Sequence, residues 1–285
     1  STRTLTLFPY TTLFRSPWGP LAEVFMLDSG WHQGSSLLGQ SSGQLRVLSV
    51  IPSGEVEDLH ALWQACAALQ AQGYPVMILD GLESETDQAP GLEDVLQGCS
   101  STALPAHLTQ PHAIASLPAA RGLQELADWA QASGQPPLGQ LYRHFRNHAL
   151  LVVLAPAPAP LLGAVCKGVQ QAPWLLVPTK RHSVVACYRA LKQVFMDTGV
   201  MPQLLALRPA HTGLDPLLKS IAQCAHHHLH VEPLAQQIDP EHPRQLQRWA
   251  LQCLEQGQVI TAPEPAMLSA SLFAPCATPS PAWNH

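Results

Sequence analysis

Charge is scarce in this chain. Asp, Glu, Lys and Arg make up 12% of 285 residues, against roughly a quarter in an average soluble domain. The 15 basic and 20 acidic residues give a net charge of -5. That excludes a globally basic nucleic-acid binder, which needs a positive field to displace counterions from phosphates. No uninterrupted apolar run reaches the roughly 18 residues of a membrane-spanning helix. C-x-x-C spacing is missing too. The seven cysteines (Cys66, Cys99, Cys166, Cys187, Cys224, Cys253, Cys276) are odd in number and scattered. This predicts a reduced, cytoplasmic protein with structural thiols. No G-x-S-x-G elbow occurs, and neither Ser53 nor Ser183 has an identifiable triad partner, which argues against a Ser/His/Asp hydrolase.

What is present is apolar residue, at 46%, with 27 prolines and 14 histidines. Such a chain can bury a core. Its two ends differ from its middle. Residues 1–16, STRTLTLFPYTTLFRS, lack the regions of a signal peptide and resemble a translated sequencing-adapter fragment. Residues 17–44 read as an irregular segment. Residues 258–285, with Pro263, Pro265, Pro275, Pro279 and Pro281 among Ser and Ala, read as a disordered tail. The folded domain is expected over residues 45–257.

Between these ends strand and helix patterns alternate. Leu45 to Ile51, Pro75 to Asp80, Ala113 to Leu117, Leu150 to Leu154, Trp174 to Val177 and Gln203 to Leu207 are short apolar runs bounded by turn residues. Helical patterns cover Glu55 to Gln72, Gly91 to Gln97, Gly122 to Ala132, Leu138 to Arg146, Leu161 to Gln170, Ser183 to Met196, Leu214 to Leu229 and Pro243 to Gln256. In the first of them Leu59, Leu62, Trp63, Cys66 and Leu69 share one face. Strands that are apolar throughout, joined by helices, predict an α/β fold: three layers, a mainly parallel sheet flanked by helices. Ligands of such sheets sit beyond the carboxyl ends of the strands. The loops after Ile51, Leu79, Leu154, Val177 and Leu207 are therefore the ones to inspect.

The first of these loops reads Pro52-Ser53-Gly54-Glu55-Val56-Glu57-Asp58. A phosphate-binding loop needs several glycines, so that backbone N–H groups can approach the phosphates, and a Lys followed by Ser or Thr. This loop has one glycine and no lysine. Three carboxylates stand at the helix entrance, where they repel a triphosphate. Ser53 near the N-cap is the ordinary structural reading of the same residues.

The order of elements resembles the MinD/ParA family of deviant P-loop ATPases, and within it the branch that regulates flagellar number and placement. The resemblance runs from about Leu45 to Glu255. RVLSVIPSG stands for the first strand and phosphate loop, and LWQACAALQAQGYPVMILDG for the helix, turn and second strand ending in an Asp. APGLEDVLQG, IASLPAARGLQELADW and WLLVPTKRHSVVACYRALKQV follow in the family's order. The resemblance implies a P-loop NTPase-like fold, and a nucleotide site vestigially represented by Ser53, Gly54 and Asp80.

The departures are chemical. The phosphate-loop lysines and glycines are missing over Ser53 to Asp58. Ala155 stands where the family places a Mg²⁺-linked Asp, and Ala206-Leu207 where it offers an Asn to the adenine. Phosphoryl transfer is almost entirely positioning and charge neutralisation, and no residue here supplies them. The expectation is a regulatory pseudo-ATPase without catalytic residues, cofactor or metal. It would act through protein partners, such as a flagellar signal-recognition-type GTPase or a transcription regulator, with no nucleic acid and no membrane helix. The Asp28-Ser29-Gly30-Trp31-His32-Gln33 segment does not match the GTPase-activating segment of that branch. The tail after Gly257 lacks the basic residues of a MinD-type membrane helix. Two alternatives stand beside this reading: an ATP- and Mg-binding ATPase with an atypical site, and a non-flagellar interaction module in secretion or partition.

Three other clusters carry possible chemistry. Asp80 ends its strand at the ligand-facing edge, with Glu83, Glu85 and Asp87 after it; turn hydrogen bonding is its alternative role. Lys180-Arg181-His182 follow a strand end and suit an acidic partner, or simply a solvated turn. Cys224 with His228, and His226 with His230, fall four residues apart on a helix, a spacing open to Zn²⁺. No outlying ligand set accompanies them.

Overall fold

A computed structural model describes residues 44–53, 55–86, 88–98, 114–156, 171–180, 183–209 and 215–260. All lie within one compact unit, Ser41–His285. The expected helix over Leu161 to Gln170, Gly54, Asp87, Arg181 and His182 fall outside these residues, as do the adapter-like start and most of the tail.

The strands are β1 (Leu45–Ile51), β2 (Val76–Asp80), β3 (Ala115–Pro118), β4 (Leu150–Leu154), β5 (Trp174–Leu176), β6 (Gln203–Leu207), β7 (Ala235–Ile238) and β8 (Gln258–Ile260). The helices are α1 (Val56–Ala71), α2 (Leu92–Gln97), α3 (Ala120–Ser133), α4 (Tyr142–Phe145), α5 (Val184–Thr198), α6 (Pro216–Leu229) and α7 (Pro243–Gln256). A 3₁₀ turn, Pro137–Leu141, leads into α4. It takes the first half of the single helix expected over Leu138 to Arg146, because Pro136 and Pro137 fix an extended entry.

The sheet runs β3-β2-β4-β1-β5-β6-β7. Every pair in that row is parallel. Successive residues of a strand face opposite sides, and both sides are covered. Leu48 and Val50 of β1, with Ile78, Val152 and Leu205, pack on α1 and α7. Met77, Leu79, Leu151 and Val153 pack on α2, α3 and the 3₁₀ turn. Ile51, Leu175, Leu204 and Ala206 pack on α5 and α6. This is the doubly wound, mainly parallel α/β architecture that the unbroken apolar strands predict. In the α1/α7 layer the rings of Trp174 and Trp249 meet edge to face, with centroids 6.5 Å apart. Cys66 and Cys253 lie in the same layer, and burial pushes the Cys66 thiol up to about 12. These are packing residues, as expected of structural thiols.

Two strands were not foreseen. β7 reads Ala-Gln-Gln-Ile and lacks an apolar run, because it sits at the end of the row with three of its four residues half-exposed. β8 corrects the boundary of the tail, since residues 258–260 belong to the sheet. It pairs antiparallel with Leu45, Arg46 and Val47. The short β5 meets β1 only at Val50 and Ile51, so the first half of β1 needs another partner on that side. Arg46 reinforces the arrangement by donating from Nη1 to the carbonyls of Leu254 (3.3 Å) and Glu255 (2.8 Å) at the end of α7, where the helix dipole favours a cation.

Candidate functional site

Strand order places the site. β1 lies between β4 and β5, and the chain leaves it toward β2 on one side and later toward β6 and β7 on the other. The crevice outside the carboxyl end of β1 is the topological switch point. Register brings Asp80, Leu154, Val50 and Trp174 into one row across four strands. At about 4.8 Å per strand, Asp80 and the end of β1 stand roughly 10 Å apart on the same edge.

The loop after β1 is organised by its own side chains. Ser53 Oγ donates to Asp58 Oδ2 at 2.5 Å and accepts the backbone N–H of Glu55 at 3.1 Å. Asp58 is buried in the first turn of α1. The cap position itself belongs to Glu55, whose side chain makes no bond to its own helix. It turns instead toward the loop after β5. Glu55 Oε2 accepts the N–H of Thr179 at 2.9 Å and its hydroxyl at 2.5 Å, and Oε1 accepts the N–H of Lys180 at 3.2 Å. Glu55 is 7% exposed, while Thr179 and Lys180 face solvent. Burial by itself raises the carboxyl's pKa. The hydrogen bonds from Thr179 and Lys180, with the lysine charge, outweigh it and hold Glu55 below the ordinary carboxylate value.

Asp80 takes the turn role. Its Oδ1 accepts the N–H of Leu82 at 2.9 Å, and its carbonyl accepts the N–H of Ala119 at 2.9 Å. Glu85, buried, reaches the entrance of α3, accepting from the N–H of Arg121 and of Gly122, each at 2.8 Å. Arg121 in turn pairs with Glu93 at 2.9 Å. Ala155 is buried and donates its N–H to the Val50 carbonyl at 3.0 Å, closing the edge where the resemblance implies a metal carboxylate.

On the far side of β1, Arg208 follows β6. Its Nε meets Asp215 Oδ2 at 2.6 Å and its Nη1 donates to the Val177 carbonyl at 2.9 Å. Asp215 Oδ1 also accepts from the N–H groups of Leu217 and Leu218, capping α6. The Arg208 hydrogen bond holds Asp215 below its ordinary pKa, against the effect of burial. Gln237 of β7 ties this corner to the sheet by accepting from the Asp215 N–H at 2.8 Å.

The structure therefore brings Ser53, Glu55, Asp58, Thr179 and Lys180 together, and keeps Asp80 two strands away in a turn. Glu55 and Thr179 were missed as partners, because 124 residues separate them and no local pattern links them. Among the described residues no three His, Cys, Asp or Glu side chains are placed to hold a metal ion. Two histidine rings of α6 make aromatic contacts instead: His227 meets His228 edge to face, and His228 lies tilted against Tyr188 of α5.

No family model matches the chain, and no curated protein matches it either. Solved structures do resemble it in outline. A ParA family ATPase from Chlorobium tepidum TLS is 12% identical with a TM-score of 0.47, over 72% of this chain and 98% of that one. Cobyrinic acid a,c-diamide synthase from Mycobacterium smegmatis, solved with bound ADP and magnesium, is 18% identical with a TM-score of 0.46, over 76% and 98%. Apo McdA from Cyanthece is 16% identical with a TM-score of 0.43, over 74% and 96%.

Among the described residues, no helix is long and apolar enough to cross a membrane.

Proposed function

We propose that this chain is a MinD/ParA-like regulatory protein that has lost ATP hydrolysis and acts through protein contacts in flagellar number or placement. The reading of the family comes from the five sequence segments in their order. The reading of lost hydrolysis is carried by one observation. At the switch point, where phosphate loops present lysine to an incoming phosphate, this chain presents the Glu55 carboxylate, bound to Thr179 and Lys180. A carboxylate there repels the anion that a nucleotide site must attract, and buried Asp58 adds a second acidic group in the same turn. The residues present do not fit Mg-ATP. Ala155 offers no metal ligand, and the described part of the loop has no lysine. Partners follow from the same reading: a protein that keeps this fold without phosphoryl transfer works by its surface, on a flagellar GTPase or a transcription regulator.

Titration of the purified full chain with Mg-ATP by calorimetry, with phosphate release followed in parallel, tests the loss of nucleotide binding and of hydrolysis. No saturable heat and no release above the blank are expected; micromolar binding or turnover overturns it. Flagella counted per cell after deletion of the gene test the placement role, and an unchanged count overturns that part.

A further inference from the structure

We propose that the loop after β5 is an oxyanion cradle, formed by the N–H and hydroxyl of Thr179 and the N–H of Lys180, and kept closed by Glu55 as a ligand from the same chain.

Three donors converge on one carboxylate there: 2.9 Å from Thr179 N, 2.5 Å from Thr179 Oγ1 and 3.2 Å from Lys180 N. Two of the donors are backbone groups that cannot swing away without moving the loop. Consecutive backbone N–H groups aimed at one point form an anion-binding concavity. The occupant is a real oxyanion, contributed from a loop 124 residues earlier in the chain. Its position is asymmetric: Glu55 approaches from the buried side, whereas Thr179 and Lys180 are exposed. A small carboxylate or phosphate group that takes the place of Glu55 meets the same donors, with the Lys180 charge beside them. Glu55 is the competitor it must displace. Glu85, the other buried carboxylate that accepts successive backbone N–H groups, differs in that its donor Gly122 is itself buried between α2 and α3.

This inference does not rest on the loss of ATP hydrolysis. A wild-type chain that bound Mg-ATP would overturn the proposed function and leave the cradle to be judged on its own variants.

The test is titration of the full chain and of Glu55→Ala with inorganic phosphate and, separately, with acetate. The Thr179 and Lys180 amides are followed by ¹⁵N–¹H correlation spectra. Removing an internal competitor worth about one charge-assisted bond tightens binding by about tenfold or more. Saturable shifts of both amides are expected in Glu55→Ala, much weaker in wild type, and reduced again in Glu55→Ala/Thr179→Val. Binding of either probe supports the cradle, and the better of the two names its preferred oxyanion. A folded Glu55→Ala whose amides respond to neither, or a wild type that binds equally well, overturns it. If Glu55→Ala does not fold, Glu55→Gln keeps one acceptor and the shape but loses the charge; a folded Glu55→Gln with no gain over wild type overturns the proposal equally.

Discussion

The carboxylate of Glu55 accepts both the backbone N–H and the hydroxyl of Thr179, joining the loop after β1 to the loop after β5. A helix-entry residue that does not cap its own helix is serving tertiary structure instead. Its charge is the currency of that contact, because charge-assisted bonds are roughly twice as strong as neutral ones.

The contact has a pH signature. Glu55 is held below its ordinary value of 4.5. Its contribution is thus fully present above the unfolded-state pKa and is lost as pH falls through the depressed folded value. Glu55→Gln is expected to lower unfolding free energy by about 1–3 kcal/mol at neutral pH. The difference between variant and wild type should shrink below pH 4.5. Urea unfolding from neutral pH into the acid range checks this. A constant difference at all pH values contradicts the ionic role.

Asp215 does two jobs with two oxygens, capping α6 with one and pairing with Arg208 through the other. Loss of a cap costs about 1 kcal/mol. Stranding a wholly buried partner costs about 3–5 kcal/mol, and less here, since both side chains keep some exposure (14% and 15%). Asp215→Ala is expected to destabilise by about 2–4 kcal/mol. Asp215→Asn, which retains the capping oxygen, should fall by less. Equal losses in thermal unfolding would mean that the cap contributes nothing beyond the ion pair.

The central strands are legible in the sequence because they are buried on both faces. LRVLSVI and LLVVL can be little else in a chain this short of charge, and β4 and β6 have the bounds that the sequence predicts. Edge strands carry no such mark. Ala235–Ile238 contains two glutamines, one of them bonded to Gln252 of α7, and its pairing is fixed by tertiary contacts alone. The candidate site was legible as a place rather than as a set of bonds. Ser53 and Asp80 were marked by their position at strand ends. Yet the residue that decides the chemistry, Glu55, was counted only as one of three acidic residues at a helix entrance. Its partner is set by the strand order that puts β5 beside β1, which no local spacing encodes.

β8 offers a direct check on the boundary of the fold. Its three residues pair with Leu45, Arg46 and Val47, and Ile260 is buried. A chain truncated after Gly257 should be less stable than one truncated after Ile260 by about 2–4 kcal/mol: roughly 2 for the isoleucine and the remainder for backbone pairing. Midpoints in urea for the two truncations give the comparison. Coincident curves would show that β1 does not need β8 on that side.

The sharpest conflict between a local rule and the fold is at Gly122, in the first turn of α3. Helix propensity alone says that Gly122→Ala gains about 1 kcal/mol. A Cβ built there meets the Glu93 nitrogen at 2.6 Å and Leu92 Cβ at 2.7 Å. Neither atom is the free end of a flexible side chain. Nor can α3 back away cheaply, because the N–H of Gly122 is bonded to the buried Glu85 carboxylate at 2.8 Å. Overpacking of this kind costs about 1–3 kcal/mol, and breaking the Glu85 bond adds to it, so the clash wins. Gly122→Ala is expected to lower the urea midpoint at an unchanged slope. Gly139→Ala is the control, since its Cβ meets nothing within 4 Å, and it should leave the midpoint in place or raise it. A stabilised Gly122→Ala would mean that α2 and α3 are held farther apart than the Glu85 bridge requires.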